Sequence, residues 1–388
     1  MKEKLKLIVL GLMGQIPFAG QTWFYMNYLL GLRQLGHEVY YVEDDSAWPY
    51  DPVVDSLVDD PTYAVNHIKT VMEGNGLGSN WAYRARFRND ECYGLSKDSL
   101  KELYRTADVL LNVCGAAELT DEHRQCKRLI YVETDPVTNQ LEIYNGNRRT
   151  IDILAQHDRI ITYGENYGAS DCGVPILKFY YKKTRPPVHL PSWPMQFDPS
   201  CISFRTVGNW KQAEKDIQFK GETYYWSKHI EFLKFVGLPK RTTQSLELCV
   251  GIDDEPNRKL FLANGWKISH PIPMTLNIRT YRDFIQQSRA EWTVAKDQNI
   301  RLRSGWFSER SACYLACGKP VVTQDTGFGK VIPTGDGLFA FRTMDDILAA
   351  IDKINSNYEH HSKAARSIAQ EYFDAGKVLS RLIEDAGL

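Results

Sequence analysis

Residues Thr184–Pro199, TRPPVHLPSWPMQFDP, place five prolines in sixteen positions, and the pattern on either side of them is the same. Proline fixes φ and removes an amide donor, so neither a helix interior nor a central strand tolerates that density. The stretch reads as an inter-domain linker. Ahead of it, short apolar runs alternate with helical periodicity. Lys6–Leu12 reads as a strand, Gly14–Gly20 as a glycine-bearing loop, Gln21–Leu35 as a helix closed by Gly36, and Val39–Val42 as the next strand. Strands at Val109–Val113, Leu129–Val132 and Arg159–Tyr163 follow, each running into polar or glycine residues. Beyond the linker the alternation restarts with Ser203–Val207, a helix near Ser227–Val236 and a strand at Leu246–Val250. Helices over Met344–Asn355 and about His361–Ala386 close it. Strand–helix–strand units imply parallel strands and right-handed crossovers. The expectation is an α/β protein of two similar domains, with a cleft where the carboxyl ends of both sets of strands converge.

Charge and cysteine usage narrow the function. The 388 residues carry 47 basic and 48 acidic side chains, a net charge of −1, so no global field recruits nucleic acid or an anionic membrane. Tyr181–Arg185 and Asn147–Arg149 are local basic stretches that read as solvated surface. Eight scattered cysteines with no C-x-x-C pair read as buried free thiols of a reducing compartment. The nine histidines show no metal-ligand spacing, and His360-His361 reads as a surface pair. MKEKLKLIVLGLMG lacks a cleavage site and runs into a helix pattern, so it reads as a first strand and not a signal peptide. No apolar run reaches the roughly 18 residues of a membrane span. A cytoplasmic protein is expected.

The segment Ser304–Gly327, SGWFSERSACYLACGKPVVTQDTG, carries the chemistry. Ser308 suits an N-cap, with Glu309, Arg310 and Ser311 in the first turn. Gly318 fits a left-handed C-terminal residue, and Pro320 blocks continuation into the strand Val321–Thr323. A helix start offers unpaired N–H groups and about half a positive charge, which suits a phosphate. By itself the segment is equally an ordinary capped helix–strand unit; its place at a cleft tips the balance.

In order and spacing the whole chain resembles glycosyltransferases of the GT-B fold. Leu35-Gly36-His37-Glu38-Val39 resembles a turn of their acceptor domain. Gly305-Trp306 and Ala316-Cys317-Gly318-Lys319-Pro320-Val321-Val322 resemble their nucleotide-sugar-binding core. Glu133–Pro136, Tyr163–Asn166, Val207–Trp210 and Ser304–Ser308 resemble motifs of a bacterial subgroup. The resemblance implies two Rossmann-like doubly wound domains, an acceptor domain over residues 1–190 and a donor domain over 191–365. A C-terminal helix, residues 366–388, is expected to pack back on the first. It further implies that the diphosphate of a nucleotide sugar, expected to be a UDP-sugar, rests on the helix starting at Ser308. Trp306, Glu309, Arg310 and Ser311 would surround it, and Gly208, Asn209, Trp210 and Lys211 would face it. Asp325, Thr326 and Gly327 would meet the donor sugar. Many retaining members carry two glutamates eight positions apart; here those positions are Gly305 and Cys313, so Glu309 is assigned to ribose or sugar, and stereochemistry stays open.

Such a transfer requires charge on the leaving diphosphate. No D-x-D pattern occurs, Asp44-Asp45 and Asp253-Asp254 being adjacent, so a metal-independent enzyme without cofactor is expected. Lys211, Arg310 and Lys296 are the expected counter-charges. Asp135 and Glu133, at a strand's carboxyl end, are the candidate bases for a small-molecule acceptor; Glu165 and Glu43–Asp45 are rivals. Gly11, Gly14 and Gly20 do not match G-x-G-x-x-G. Gly14, Gln15, Phe18 and Trp48 are expected at the acceptor. Three other readings share the fold: a nucleotide-sugar epimerase or hydrolase, a DNA-modifying transferase, and a non-catalytic nucleotide-sugar binder. The sequence does not specify an oligomeric state.

Overall fold

The computed structural model describes residues 4–212 and 215–388. Eight strands make the first sheet, with Lys6–Leu10 in its middle. Glu38–Asp45 and Trp81–Ala85 extend it one way, and Val109–Val113, Leu129–Glu133, Arg159–Thr162 and Tyr181–Lys183 the other. All these neighbours are parallel; Glu91–Gly94 adds an antiparallel edge. Its central strands are buried along their length, which is why they read as continuous apolar runs instead of alternating ones.

The second half repeats the plan. Ser203–Gly208 pairs in parallel with Ser245–Val250, which pairs with Lys267–Ser269. Glu291–Thr293, Val321–Gln324 and Leu338–Phe341 form a parallel trio. A bridge between Phe204 and Ala290 and a bond from Arg205 N to Ala290 O (2.9 Å) bring the two trios edge to edge. In each half the strand order reverses beside the first strand, the point at which open α/β sheets bind ligands. Two doubly wound layers facing across a cleft is the architecture expected.

Three expectations change in detail. The proline-rich stretch does not trail free: Val188 and Trp193 are fully buried. Val188 N bonds Phe373 O (2.7 Å), and Ala375 N bonds Val188 O (2.9 Å), so the outgoing and returning chain crossings lie side by side. The last helix is not continuous. Tyr358–Ile368 runs into a π-turn at Ala369–Phe373, then Asp374 leaves helical geometry and caps a new helix, Ala375–Asp385, through Lys377 N (3.2 Å). That helix packs on the first one, Ala19–Gln34, where a Cβ on Gly31 would stand 2.6 Å from Ala375 Cβ. A hairpin at Tyr50–Leu57 and the edge strands beyond it carry no strong apolar signal and were not expected.

The largest hydrophobic core runs through both halves. It joins Leu7, Val9 and Trp23 to Tyr281, Phe307, Leu315 and Val321 without a break. Trp23 Nε1 donates to Ile278 O (2.8 Å), and Asn27 Nδ2 donates to Cys313 Sγ (3.9 Å). The halves are therefore welded behind the cleft, which opens at the carboxyl ends of the strands.

Candidate functional site

The cleft floor on the first half is the end of Val109–Val113. Cys114 (φ 65°) and Gly115 (φ 64°) are both left-handed there, and a non-glycine residue in that region costs backbone strain. Cys114 is exposed, not buried as its apolar run suggests; all eight thiols are free. One strand over, Glu133 is buried and fully engaged. Asn139 Nδ2 (3.0 Å) and Gln140 Nε2 (2.8 Å) donate to Oε1, and the Thr162 hydroxyl (2.6 Å) donates to Oε2. Burial pushes its carboxyl up even against these donors. Glu133 ties its strand to the following helix and to Arg159–Thr162, a positioning role. Asp135 reaches further out, and its Oδ2 pairs with Lys296 Nζ of the second half.

Lys296 is the junction of the site. It lies nearly buried, 3.1 Å from the centre of the Trp226 ring, and burial lowers its amine despite Asp135. Beside it Trp306 Nε1 donates to Thr134 O (3.0 Å), a second contact across the cleft. A cavity of about 390 Å³ opens here, lined by Cys114, Asp135, Lys215 and Trp226. A larger one of about 750 Å³ continues it over the first half and shares Tyr131, Asn139 and Glu142.

The helix expected at Ser308 spans Glu309–Ala316. Ser308 is its N-cap, yet its hydroxyl makes no capping bond, and the Ser311 hydroxyl is buried without a hydrogen-bond partner. Arg310 is not free to receive a phosphate. Its Nε bonds Glu291 Oε1 (2.6 Å), Nη1 bonds Val207 O (2.8 Å), and Nη2 bonds the Thr293 hydroxyl (2.9 Å). Gly208 is the residue that permits this reach, since a Cβ there would stand 2.9 Å from Nη1.

Lys228, which was not among the expected counter-charges, lies within range of the charges at the same helix start. Its ammonium lies 5.5 Å from the centre of the Trp306 ring, and among the described residues it has no salt bridge. Burial pushes it down to about 7, with the charges of Arg310 and Lys296 adding to the effect. No motif marks it; the absence of a counter-charge exists only in three dimensions.

The other predicted residues divide. Asn209 and Lys211 are exposed on the facing loop. Trp210 is core, packed on Phe232 and Phe261. Asp325 takes Gly327 N (2.7 Å) and pairs with Arg303 and Arg342, and the Thr326 hydroxyl donates to Trp306 O (2.6 Å). These three residues brace the loop that carries Trp306. Gly14 N (2.8 Å) and Gln15 N (2.6 Å) donate to the buried Glu43 carboxylate. Gly14 is further hemmed in, because a Cβ would meet Ile68 at 2.8 Å. Phe18 lies 5.5 Å from the Tyr50 ring, and Trp48 is half exposed (49%) beyond it.

No sequence-family profile matches this chain, and no curated protein matches it by sequence. Its structure has the GT-B fold, and solved glycosyltransferases superpose along its whole length. An alpha-glucosyltransferase in complex with UDP and a 13-mer DNA containing a central A:G mismatch gives a TM-score of 0.61, at 12% identity and 100% coverage of each chain. Anabaena HepE in complex with UDP and glucose gives 0.53, at 10% identity over 98% of each. Sucrose-phosphate synthase from Thermosynechococcus elongatus gives 0.54, at 10% identity over 98% of each. Among the described residues no helix is long and apolar enough to cross a membrane.

Proposed function

We propose that this protein is an enzyme, a glycosyltransferase that takes a UDP-sugar into the cleft and passes the sugar to a small hydroxylated acceptor in the adjoining cavity. The observation that carries the reading is Lys228. Among the described residues it is a cation without a salt bridge, set beside Trp306 and within range of the Glu309 and Arg310 charges at a helix start whose Ser311 hydroxyl is unsatisfied. An unbridged ammonium beside a helix start suits a diphosphate. In the transfer the acceptor oxygen bonds the anomeric carbon as the bond from that carbon to the β-phosphate oxygen breaks. UDP departs with the electron pair onto Lys228 and the helix start, so no divalent ion is needed to neutralise it. The acceptor proton passes to Asp135, which lines the smaller cavity and whose Oδ1 has no other hydrogen-bond partner. Lys296 holds the other oxygen of that carboxylate.

DNA-bound relatives raise the question of a nucleic-acid acceptor. The acceptor-side cavity argues for a small molecule: Asp44, Glu118 and Glu142 line it, with Arg86 and Arg149 spent on Asp44 and Glu118. The two pairs cancel and Glu142 leaves the lining acidic, so among the described residues it offers a phosphate backbone no free cation, and the chain's net charge of −1 adds no compensating attraction. Calorimetric titration of UDP, GDP and dTDP into the folded protein tests the donor. Binding of UDP alone is expected, and failure of every nucleotide to bind would overturn the reading. Product analysis of UDP-glucose without acceptor then separates a transferase, which leaves it intact, from a hydrolase or epimerase.

A further inference from the structure

Away from the cleft, the two histidines that read as surface residues meet a partner the sequence places 24 positions earlier. Asp336 lies in the turn that leads into Leu338–Phe341, and His360 and His361 open the helix Tyr358–Ile368. His360 Nε2 is 3.1 Å and His361 Nδ1 is 3.6 Å from the same oxygen, Asp336 Oδ1. One ligand atom from each of the three residues falls within 4.8 Å of the others. Bonds of about 2.0–2.2 Å to nitrogen and oxygen make the edge of a tetrahedral zinc site roughly 3.4 Å, and the two measured distances bracket that edge.

The orientation of His361 is the second observation. Gly337 N donates to its Nδ1 at 3.3 Å, so Nδ1 carries the lone pair. That tautomer, with Nδ1 unprotonated and turned toward the Asp336–Gly337 turn, is the one a metal ion bound at Nδ1 requires. Asp336 Oδ1 lies 3.6 Å from the same Nδ1, beside the Gly337 N–H that its lone pair accepts at 3.3 Å. A divalent cation shared by Nδ1, Oδ1 and His360 Nε2 replaces that long backbone bond with a ligand bond. His361 is nearly buried, so its ring is held in place beside Asp336.

We propose that Asp336, His360 and His361 form a structural binding site for a borderline divalent transition ion, with zinc the best match to two nitrogens and one oxygen. The fourth position is left to water. The ion clips the turn to the helix where they pass closest: a Cβ on Gly337 would stand 2.3 Å from Ala365 N, and Gly337 is left-handed (φ 70°). The site stands apart from Lys228, Lys296 and Asp135, so it takes no part in glycosyl transfer and does not rest on that reading.

The test is a titration of chelator-treated full-length protein with Zn²⁺, followed by calorimetry, and with Co²⁺, followed by visible absorption. One ion per chain is expected, with cobalt bands of four-coordinate nitrogen and oxygen ligation and no thiolate charge transfer. Asp336→Asn and His360→Ala are each expected to weaken binding at least tenfold and to abolish the rise in melting midpoint that Zn²⁺ gives the wild type. Both side chains are more than half exposed, so the variants are expected to fold, which circular dichroism checks. No binding by the wild type, or binding and stabilisation unchanged in both variants, overturns the proposal.

Discussion

At the scale of single residues, Arg310, expected to meet the diphosphate, is tied to Glu291, and the cation proposed in its place is Lys228; each has its own measurable consequence. Lys228→Ala removes a charged donor that makes no salt bridge among the described residues. It is expected to weaken UDP-glucose binding by about 2 kcal/mol, roughly thirtyfold in Kd, with the urea midpoint unchanged. The same amine makes binding pH-dependent. Held at about 7, it is charged below that value and neutral above it, so affinity for UDP-glucose falls as pH rises through 7. The diphosphate of the sugar nucleotide keeps its charge across that range, so a slope that persists in Lys228→Ala would refute the assignment. Arg310→Ala acts on folding instead. It strands the fully buried Glu291 carboxylate, whose Oε2 already has no partner, and is expected to cost about 3–5 kcal/mol in chemical denaturation. What was legible at this scale was the helix start itself, because capping residues and a glycine stop are local chemistry. What was not legible was which cation stays unpaired, since Glu291 lies 19 positions before Arg310 and nothing local links them.

Elements were legible where burial is complete and were missed where it is not. The central strands, such as Val109–Val113 and Leu129–Glu133, announced themselves as apolar runs because both sheet faces are covered. Edge pieces like Tyr50–Asp51 and Glu91–Gly94 are short and part exposed, so no period marks them. The end of Glu38–Asp45 shows a further layer that sequence does not expose. Asp44 there accepts from Arg86 Nε (2.5 Å) and the Tyr104 hydroxyl (2.8 Å), with His123 Nε2 at 3.2 Å. Burial alone would raise its carboxyl, but the bonds from His123 and Arg86 outweigh it and hold it at about 2 against an ordinary 3.8. The folded state therefore gains about 2 kcal/mol from this group above pH 4, and loses it as pH falls through 2. Asp44→Asn is expected to flatten that part of the stability–pH curve measured by denaturant titration. Gly31 is the helical counterpart. Alanine would gain about 1 kcal/mol of helix propensity there, yet its Cβ would meet Ala375 and Leu379 at 2.6 Å. Overpacking at a helix–helix contact costs roughly 1–3 kcal/mol, so Gly31→Ala is expected to lower the urea midpoint; a raised one would mean the helices separate freely.

Across the whole molecule, two α/β halves and a proline-rich crossing suggest two bodies that unfold independently, and the packing argues otherwise. The main core passes without interruption from the first sheet through the helix Ala19–Gln34 into Glu309–Ala316 and Val321–Gln324. The chain crosses twice, and the crossings bond to each other at Val188, Phe373 and Ala375. The C-terminal helix returns to the first half, so neither half completes its core from its own sequence span alone. Around the cleft mouth, Asn166 N bonds Ser304 O (3.0 Å) and Gly173 N bonds Leu302 O (2.9 Å), while a side chain on Gly305 would strike Asn166 N at 2.3 Å. Independent unfolding of either half would expose that shared apolar surface on the other. A single cooperative transition follows, with calorimetric and van't Hoff enthalpies equal. UDP-glucose bound at the cleft should then raise the midpoint of that one transition, by about 2.7 kcal/mol of added stability at 100 times its Kd. If only part of a split transition moved with ligand, the halves would be energetically separate and the shared core would be a contact without coupling. If one transition moves intact, the cleft is a seam within a single cooperative unit, and donor binding is felt from Lys6–Leu10 to Ala375–Asp385.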